Sequence, residues 1–201
     1  MKSGFTVKAH ILSTTIMAEV FYIIGASGVG KDSLISYARE HLSGNAPVVF
    51  AHRYITRDAD AGNENHVSLT LSEFRLRDEH GCYVMKWNSH DTWYGIGIEI
   101  EQWLDKGFNV VVNGSREYLQ KATEKFKQLT PILITADKAR LKERLHLRGR
   151  ETDTQIEKRL QQAGKLDALV EHPRLIRLKN DSDLEVAGNE LVAIFQGKKP
   201  E

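Results

Sequence analysis

Val20-Phe21-Tyr22-Ile23-Ile24-Gly25-Ala26-Ser27-Gly28-Val29-Gly30-Lys31-Asp32-Ser33 is the stretch on which the rest of the chain is read. Five apolar residues in a row make a short buried strand. They pass straight into Gly-x-x-x-x-Gly-Lys, and behind that Leu34, Ala38 and Leu42 recur at helical spacing. In a strand-loop-helix setting such a loop binds phosphate. Its glycines let successive backbone amides turn inward, the helix start adds the positive end of its dipole, and Lys31 adds a full charge. Gly25, Ala26, Ser27, Gly28, Val29, Gly30, Lys31, Asp32 and Ser33 are therefore the expected nucleotide-binding residues, with ATP as the nucleotide. The competing reading, a glycine-rich turn that binds nothing, does not account for the flanking strand and helix.

One position departs from the usual pattern. The lysine of such loops is normally followed by Ser or Thr, whose hydroxyl ligates magnesium; here Asp32 follows, with Ser33 one step later. A carboxylate beside a triphosphate is repelled unless a cation lies between them, so Asp32, with Ser33, is a candidate Mg²⁺ contact. Equally open is the plain reading of Asp32 as a helix-start carboxylate favoured by the dipole.

Outward from the loop, strand and helix patterns alternate. Expected strands cover 20–24, 48–52, 109–113, 132–135 and 175–178, short and apolar like buried parallel strands. Expected helices cover 31–41, 99–106, 116–128, 138–147, 153–169 and 184–195. This is an α/β chain of the P-loop NTPase type, with a mostly parallel sheet flanked by helices. Residues 19–197 form one domain, after an amino-terminal extension at 1–18 and before a tail at 198–201. Met17, just ahead of the first strand, is a second candidate start. The polar, glycine-containing stretch near 56–93 reads as an inserted substrate-binding flap, and 146–156 as a lid.

Composition narrows the function. The 201 residues carry 28 basic and 27 acidic side chains, a formal charge of +1, so no global field draws the chain to nucleic acid or to a membrane surface. No apolar run is long enough to span a bilayer. The single cysteine, Cys82, excludes an internal disulfide, fits a reducing cytoplasm and reads as a half-buried hydrophobe. The eight histidines show no metal-ligand spacing, which leaves magnesium carried in by a nucleotide. A homodimer is left open.

Arg144, Arg148 and Arg150 cluster around Gly149, and Arg159 follows. Taken alone such a cluster is more often a solvated helical face than a site. After a phosphate loop it suits a lid that places cations on the three equatorial oxygens of a transferring phosphoryl group.

With these residues in view the chain resembles the guanylate kinase branch of the nucleoside monophosphate kinases, over nearly all of 21–195. The resemblance rests on the loop 25–33, Arg53-Tyr54-Ile55-Thr56-Arg57, Tyr94-Gly95, Arg148-Gly149-Arg150, Lys158-Arg159-Leu160 and Asn180-Asp181. It implies that Lys31, Arg148, Arg150 and Arg159 hold the transferring phosphate and that Asn180 and Asp181 lie near the adenine. Within that branch Gly30-Lys31-Asp32-Ser33, Gly62-Asn63-Glu64-Asn65-His66, Tyr94-Gly95-Ile96-Gly97 and Val112-Asn113-Gly114-Ser115-Arg116 are similar to the ribose 1,5-bisphosphate phosphokinases of phosphonate catabolism. Membership there implies ATP-dependent formation of 5-phosphoribosyl 1-diphosphate, with a small sugar phosphate as partner.

The acceptor side agrees with a sugar phosphate. Guanylate kinases carry Thr-Arg-x-Pro-Arg-x-Gly-Glu here; Thr56 and Arg57 remain, but Ala59 and Asp60 replace the proline and second arginine. Asn113 stands where that family tends to have an aspartate. Arg53, Arg57 and Arg116 are left to bind phosphates. Glu64, His66 and Asn113 are candidates for ribose hydroxyls, or for ordinary packing, and Tyr54, Thr56 and Tyr94 complete the expected substrate set, with Trp93 beside Tyr94 as a wall. A nucleoside monophosphate kinase and a catalytically silent interaction module are the alternative readings.

Overall fold

The computed structural model describes residues 18–44, 46–58, 66–89, 91–149 and 151–198. The extension up to residue 17, with the second candidate start, and Glu64 lie outside them. Five parallel strands make the main sheet: β1 (Val20–Gly25), β2 (Val48–Phe50), β7 (Asn109–Asn113), β8 (Leu129–Thr135) and β9 (Ile176–Lys179), in the order β2-β7-β1-β8-β9. β1 lies in the centre, so the loop that follows it opens at the middle of the sheet's carboxyl edge, where ligands of such sheets bind.

Alternation along β1 explains why both faces are covered. Phe21 and Ile23 pack with Leu34 and Ala38 of α1 (Lys31–His41), Leu141 and Leu145 of α5 (Lys138–Arg148), Ile156 and Leu160 of α6 (Asp153–Ala168), and Leu191 and Phe195 of α7 (Leu184–Phe195). Val20, Tyr22 and Ile24 point the other way, onto Ile100 of α3 (Glu99–Asp105) and Leu119 and Ala122 of α4 (Leu119–Lys125). A strand buried on both faces needs apolar residues at every position, which is why it reads as a continuous run.

Between β2 and β7 the chain leaves the main sheet and builds a second one. β3 (Arg53–Ile55), β4 (Val67–Ser68), β5 (Tyr83–Ser89) and β6 (Thr92–Gly97) take the order β4-β3-β6-β5, with α2 (Leu71–Glu79) inserted. This stretch holds more regular structure than its polar sequence indicates. Its α2 starts on Thr70, whose Oγ1 accepts from the Glu73 amide at 3.2 Å. Val84, Met85 and Ile96 anchor this sheet in the core beneath α3 and α4.

Several boundaries shift by one to three residues, and three of the shifts have a clear physical cause. β2 stops at Phe50 because the chain turns into β3 of the second sheet. β8 begins at Leu129, not 132: Pro131 removes a ladder donor and discourages a strand reading, yet it sits in register with Tyr22. α4 begins at Leu119, because 116–118 form a turn after β7.

Candidate phosphate-binding site

The loop from Gly25 to Lys31 is held by its apolar members and shaped by its glycines. Ala26 and Val29 are buried in the core beside α1, and the Val29 amide donates to the Ala26 carbonyl at 3.3 Å. At two of its glycines a side chain would also collide with a neighbour at 2.4 Å. Gly25 has φ of 150°, and a Cβ there would lie 2.4 Å from the Ile134 carbonyl oxygen; Gly30 has φ of 97°, and a Cβ would lie 2.4 Å from Asn180 Nδ2. Gly30 is also the N-cap of α1, and no side chain caps that helix start. Its first-turn amides are thus offered at the loop, where an anion is favoured by hydrogen bonding and by the dipole. Lys31 Nζ donates to the Gly25 and Ala26 carbonyls at 2.9 and 3.0 Å, which keeps the ammonium within the loop. Ser33 is exposed one residue beyond Asp32.

Behind the loop, a second set of groups holds it to the neighbouring strands. Asn180, only 3% exposed, donates from Nδ2 to the Val29 carbonyl at 2.8 Å. Arg144 of α5 donates to the same carbonyl at 3.1 Å and to the Asn180 carbonyl at 2.9 Å. Asp181 accepts from the Asp137 amide at 2.6 Å, at the start of α5. In the structure the Asn180 and Asp181 side chains, expected near the adenine, brace the loop and the start of α5. Arg144 was legible only as one of a cluster; its bracing role depends on a carbonyl 115 residues away.

On the β7 side the loop meets Asn113, whose Nδ2 donates to Asp32 Oδ1 at 2.7 Å. Next to it, Tyr22 is buried, and its hydroxyl accepts from the Ser115 amide at 3.0 Å. Burial pushes this phenol well above its ordinary value, so it stays protonated. Nothing in the sequence of a core strand marks Tyr22 as more than packing.

The second sheet divides the remaining expected residues by strand alternation. Arg53 and Tyr94 share one face: the Arg53 guanidinium lies 5.2 Å from the Tyr94 ring centroid, and Trp87 stacks on Tyr94 at 5.5 Å. Tyr54 projects to the opposite face, where it meets Tyr83 and the Arg77 guanidinium, and burial and Glu99 raise its phenol. The structure does not bring Tyr54 to Arg53's side, because adjacent residues of a strand point apart. Thr56 is a latch between strands: its Oγ1 accepts from the Trp93 amide at 2.9 Å. His66, buried, places Nε2 at 3.2 Å from the Arg57 carbonyl, and Arg57 lines a cavity of about 480 Å³ with Thr70, Glu73 and Asp91.

Arg116, expected on a substrate phosphate, forms a 2.5 Å ion pair with Asp167 of α6 and also donates to the Ala163 carbonyl. Arg159 is ion-paired with Glu151. Arg148 ends α5, Gly149 follows with φ of 63°, and the Thr152–Gln155 capping box starts α6, so the described part of the expected lid is the end of one helix and the start of the next. Arg150 lies outside the described residues, as does the side chain of Arg148.

No family model matches the chain. Among solved structures, it superposes on guanylate kinase from Anaplasma phagocytophilum with a TM-score of 0.65 at 17% identity, covering 90% of this chain and 86% of that one. At this identity the likeness speaks for the fold. Curated relatives carry the name ribose 1,5-bisphosphate phosphokinase PhnN. The protein of Psychromonas ingrahamii is 49% identical over 90% of this chain and 91% of its own. That of Thiobacillus denitrificans is 50% identical over 88% and 92%, and that of Desulfomicrobium baculatum 49% over 89% and 95%. With half of its residues shared across nearly the whole length of these proteins, on a guanylate kinase-like α/β fold, the chain belongs to the ribose 1,5-bisphosphate phosphokinase PhnN family.

Proposed function

We propose that this chain transfers the γ-phosphoryl group of ATP to the 1-phosphate of ribose 1,5-bisphosphate, giving 5-phosphoribosyl 1-diphosphate and ADP. The acceptor is supported by the name its relatives share, and the donor by the loop built around Gly25, Gly30 and Lys31. That loop is the observation that carries the reading: an uncapped helix start, glycines that admit no Cβ, and an ammonium on the loop carbonyls.

Chemically the task is alignment and charge. An oxygen of the 1-phosphate attacks the γ-phosphorus as the bond to the β-bridging oxygen breaks, and ADP leaves. The nucleophile is already ionised at neutral pH, so no general base is required. Lys31 and the α1 amides hold the β and γ oxygens, while Arg53, backed by Tyr94, takes an acceptor phosphate. Arg148, Arg150 and Arg159 supply cations from the lid side. Among the described residues no group of three His, Cys, Asp or Glu side chains is placed to hold a metal unaided. Asp32 and the Asn113 carboxamide beside it fit a divalent cation that arrives with the nucleotide. When bound, Mg²⁺ neutralises charge on the phosphates. His66 is assigned to the sugar hydroxyls in this reading, and Glu64, which lies outside the described residues, is assigned there by residue type alone. The cytoplasm is its compartment; among the described residues no helix is long and apolar enough to cross a membrane.

An ADP-release assay offering ribose 1,5-bisphosphate beside GMP, AMP and dGMP tests the acceptor. Turnover confined to the sugar phosphate is expected, and preference for a nucleotide would refute it. Lys31→Ala should lose phosphotransfer by orders of magnitude with its circular dichroism unchanged; near wild-type turnover would sink the assignment.

A further inference from the structure

Asn113 and Asp32 lie 81 residues apart in sequence and meet at the carboxyl edge of the sheet. Asn113 is the last residue of β7, in register with Ile23 of β1, and Asp32 is the second residue of α1. The direction of their hydrogen bond is fixed by chemistry. A carboxylate only accepts, so the carboxamide must turn its NH2 to Asp32, and its oxygen is thereby aimed elsewhere. That oxygen is buried, in a residue only 8% exposed, and it has no hydrogen-bond partner among the described residues. A buried acceptor left unpaired costs the desolvation of the group, and such an atom calls for a donor.

We propose that Asn113 is a positioning residue for the nucleotide's divalent cation: Nδ2 fixes the rotamer of Asp32, and Oδ1 accepts a hydrogen bond from a water of the cation's hydration shell. The inference rests on the ATP reading above and extends it to a residue whose expected role was to grip the ribose. The metal side is favoured over the sugar by position. Asn113 spends its donor on the residue that follows the loop lysine, and its strand is the immediate neighbour of the strand that feeds the loop. Mg²⁺ keeps several waters, so a neutral acceptor in its outer shell is an ordinary requirement. A second carboxylate at this distance would instead repel Asp32 in the metal-free protein.

Mn²⁺ is the probe. Its dissociation constant from the protein·ATP complex is measured by electron paramagnetic resonance, beside metal-free ATP binding in EDTA, the unfolding midpoint, and the KM for ribose 1,5-bisphosphate. Asn113→Leu should weaken Mn²⁺ about tenfold and leave metal-free ATP binding and the midpoint within twofold and a few degrees. The reciprocal exchange Asp32→Asn with Asn113→Asp restores one carboxylate bonded to one carboxamide, and should bind Mn²⁺ more tightly than Asp32→Asn alone. Wild-type affinity for Mn²⁺ in Asn113→Leu, or a raised sugar KM as its only change, would overturn the inference while leaving the proposed function standing. Wild-type protein that bound ATP but took up no Mn²⁺ with it would overturn both.

Discussion

Replacing Asn180 by alanine separates two jobs that a side chain beside a nucleotide loop can have. Its Nδ2 donates to the Val29 carbonyl at 2.8 Å in a residue 3% exposed, and Arg144 donates to the same carbonyl at 3.1 Å. Removing the carboxamide therefore leaves Val29 with one donor, and the loss stays near the net worth of an ordinary buried hydrogen bond, about 0.5–1.5 kcal/mol. The carboxamide also fills the space against Gly30, where an added Cβ would lie 2.4 Å away, so a small cavity raises the total to roughly 1–2 kcal/mol. The backbone bonds of residue 180, to Thr135 and from Arg144, survive. Urea unfolding should show this loss as a lower midpoint at unchanged m. If the cost falls on ordering the loop, nucleotide affinity weakens by up to about 5–30-fold. The loss must be the same for ATP and GTP, because the loop sees only phosphates. Calorimetric titration with both nucleotides decides: an ATP affinity that falls while GTP binding holds would mean that Asn180 reads the base, and would refute the bracing role.

Arg116→Met should destabilise the fold by about 2–3 kcal/mol in urea, since it strands Asp167 in a pair whose side chains are 14% and 21% exposed, and Asp167→Leu on top should recover most of the loss. An elevated KM for ribose 1,5-bisphosphate at unchanged stability would instead assign Arg116 to the substrate. His172 is held below its ordinary 6.5 by burial and by Arg174, so the folded chain resists its protonation. Its contribution is full above that pH and is lost as the pH falls through and below it, so a melting-temperature profile should decline there and flatten in His172→Gln; an identical profile in the variant would place the effect elsewhere.

Strand-loop-helix order was legible because the core obeys short periods. β1 is apolar at every position because it is covered on both faces, and α7 runs over the residues its pattern marks, Leu184 to Phe195. The second sheet was far less legible. Its strands are short and are paired partly across an inserted helix, so no local run reveals that Arg53 is in register with Ile96, or Trp87 with Tyr94. The Thr70–Glu73 cap is a local feature that the reading of this stretch as a polar insertion passed over.

For the site, residue type was legible and orientation was not. Tyr54 and Arg53 are adjacent in sequence and both carry a polar end, yet a strand sends them to opposite faces, and only the register with β6 says which face holds Tyr94. Long-range pairing decides the others. Asn180 reaches Val29 across 151 positions, Arg116 reaches Asp167 across 51, and Asn113 reaches Asp32 across 81. Each of these side chains has a polar end that suits a phosphate, a base or a sugar, and each is spent, at least in part, on another protein group. The unusual Asp32 gains its meaning the same way. In the sequence it is a departure from a loop pattern; in the fold it is one half of a carboxylate–carboxamide pair whose other half leaves a buried oxygen in need of a donor. That is why the pair, rather than either residue alone, is the unit to exchange when the metal dependence of this loop is measured.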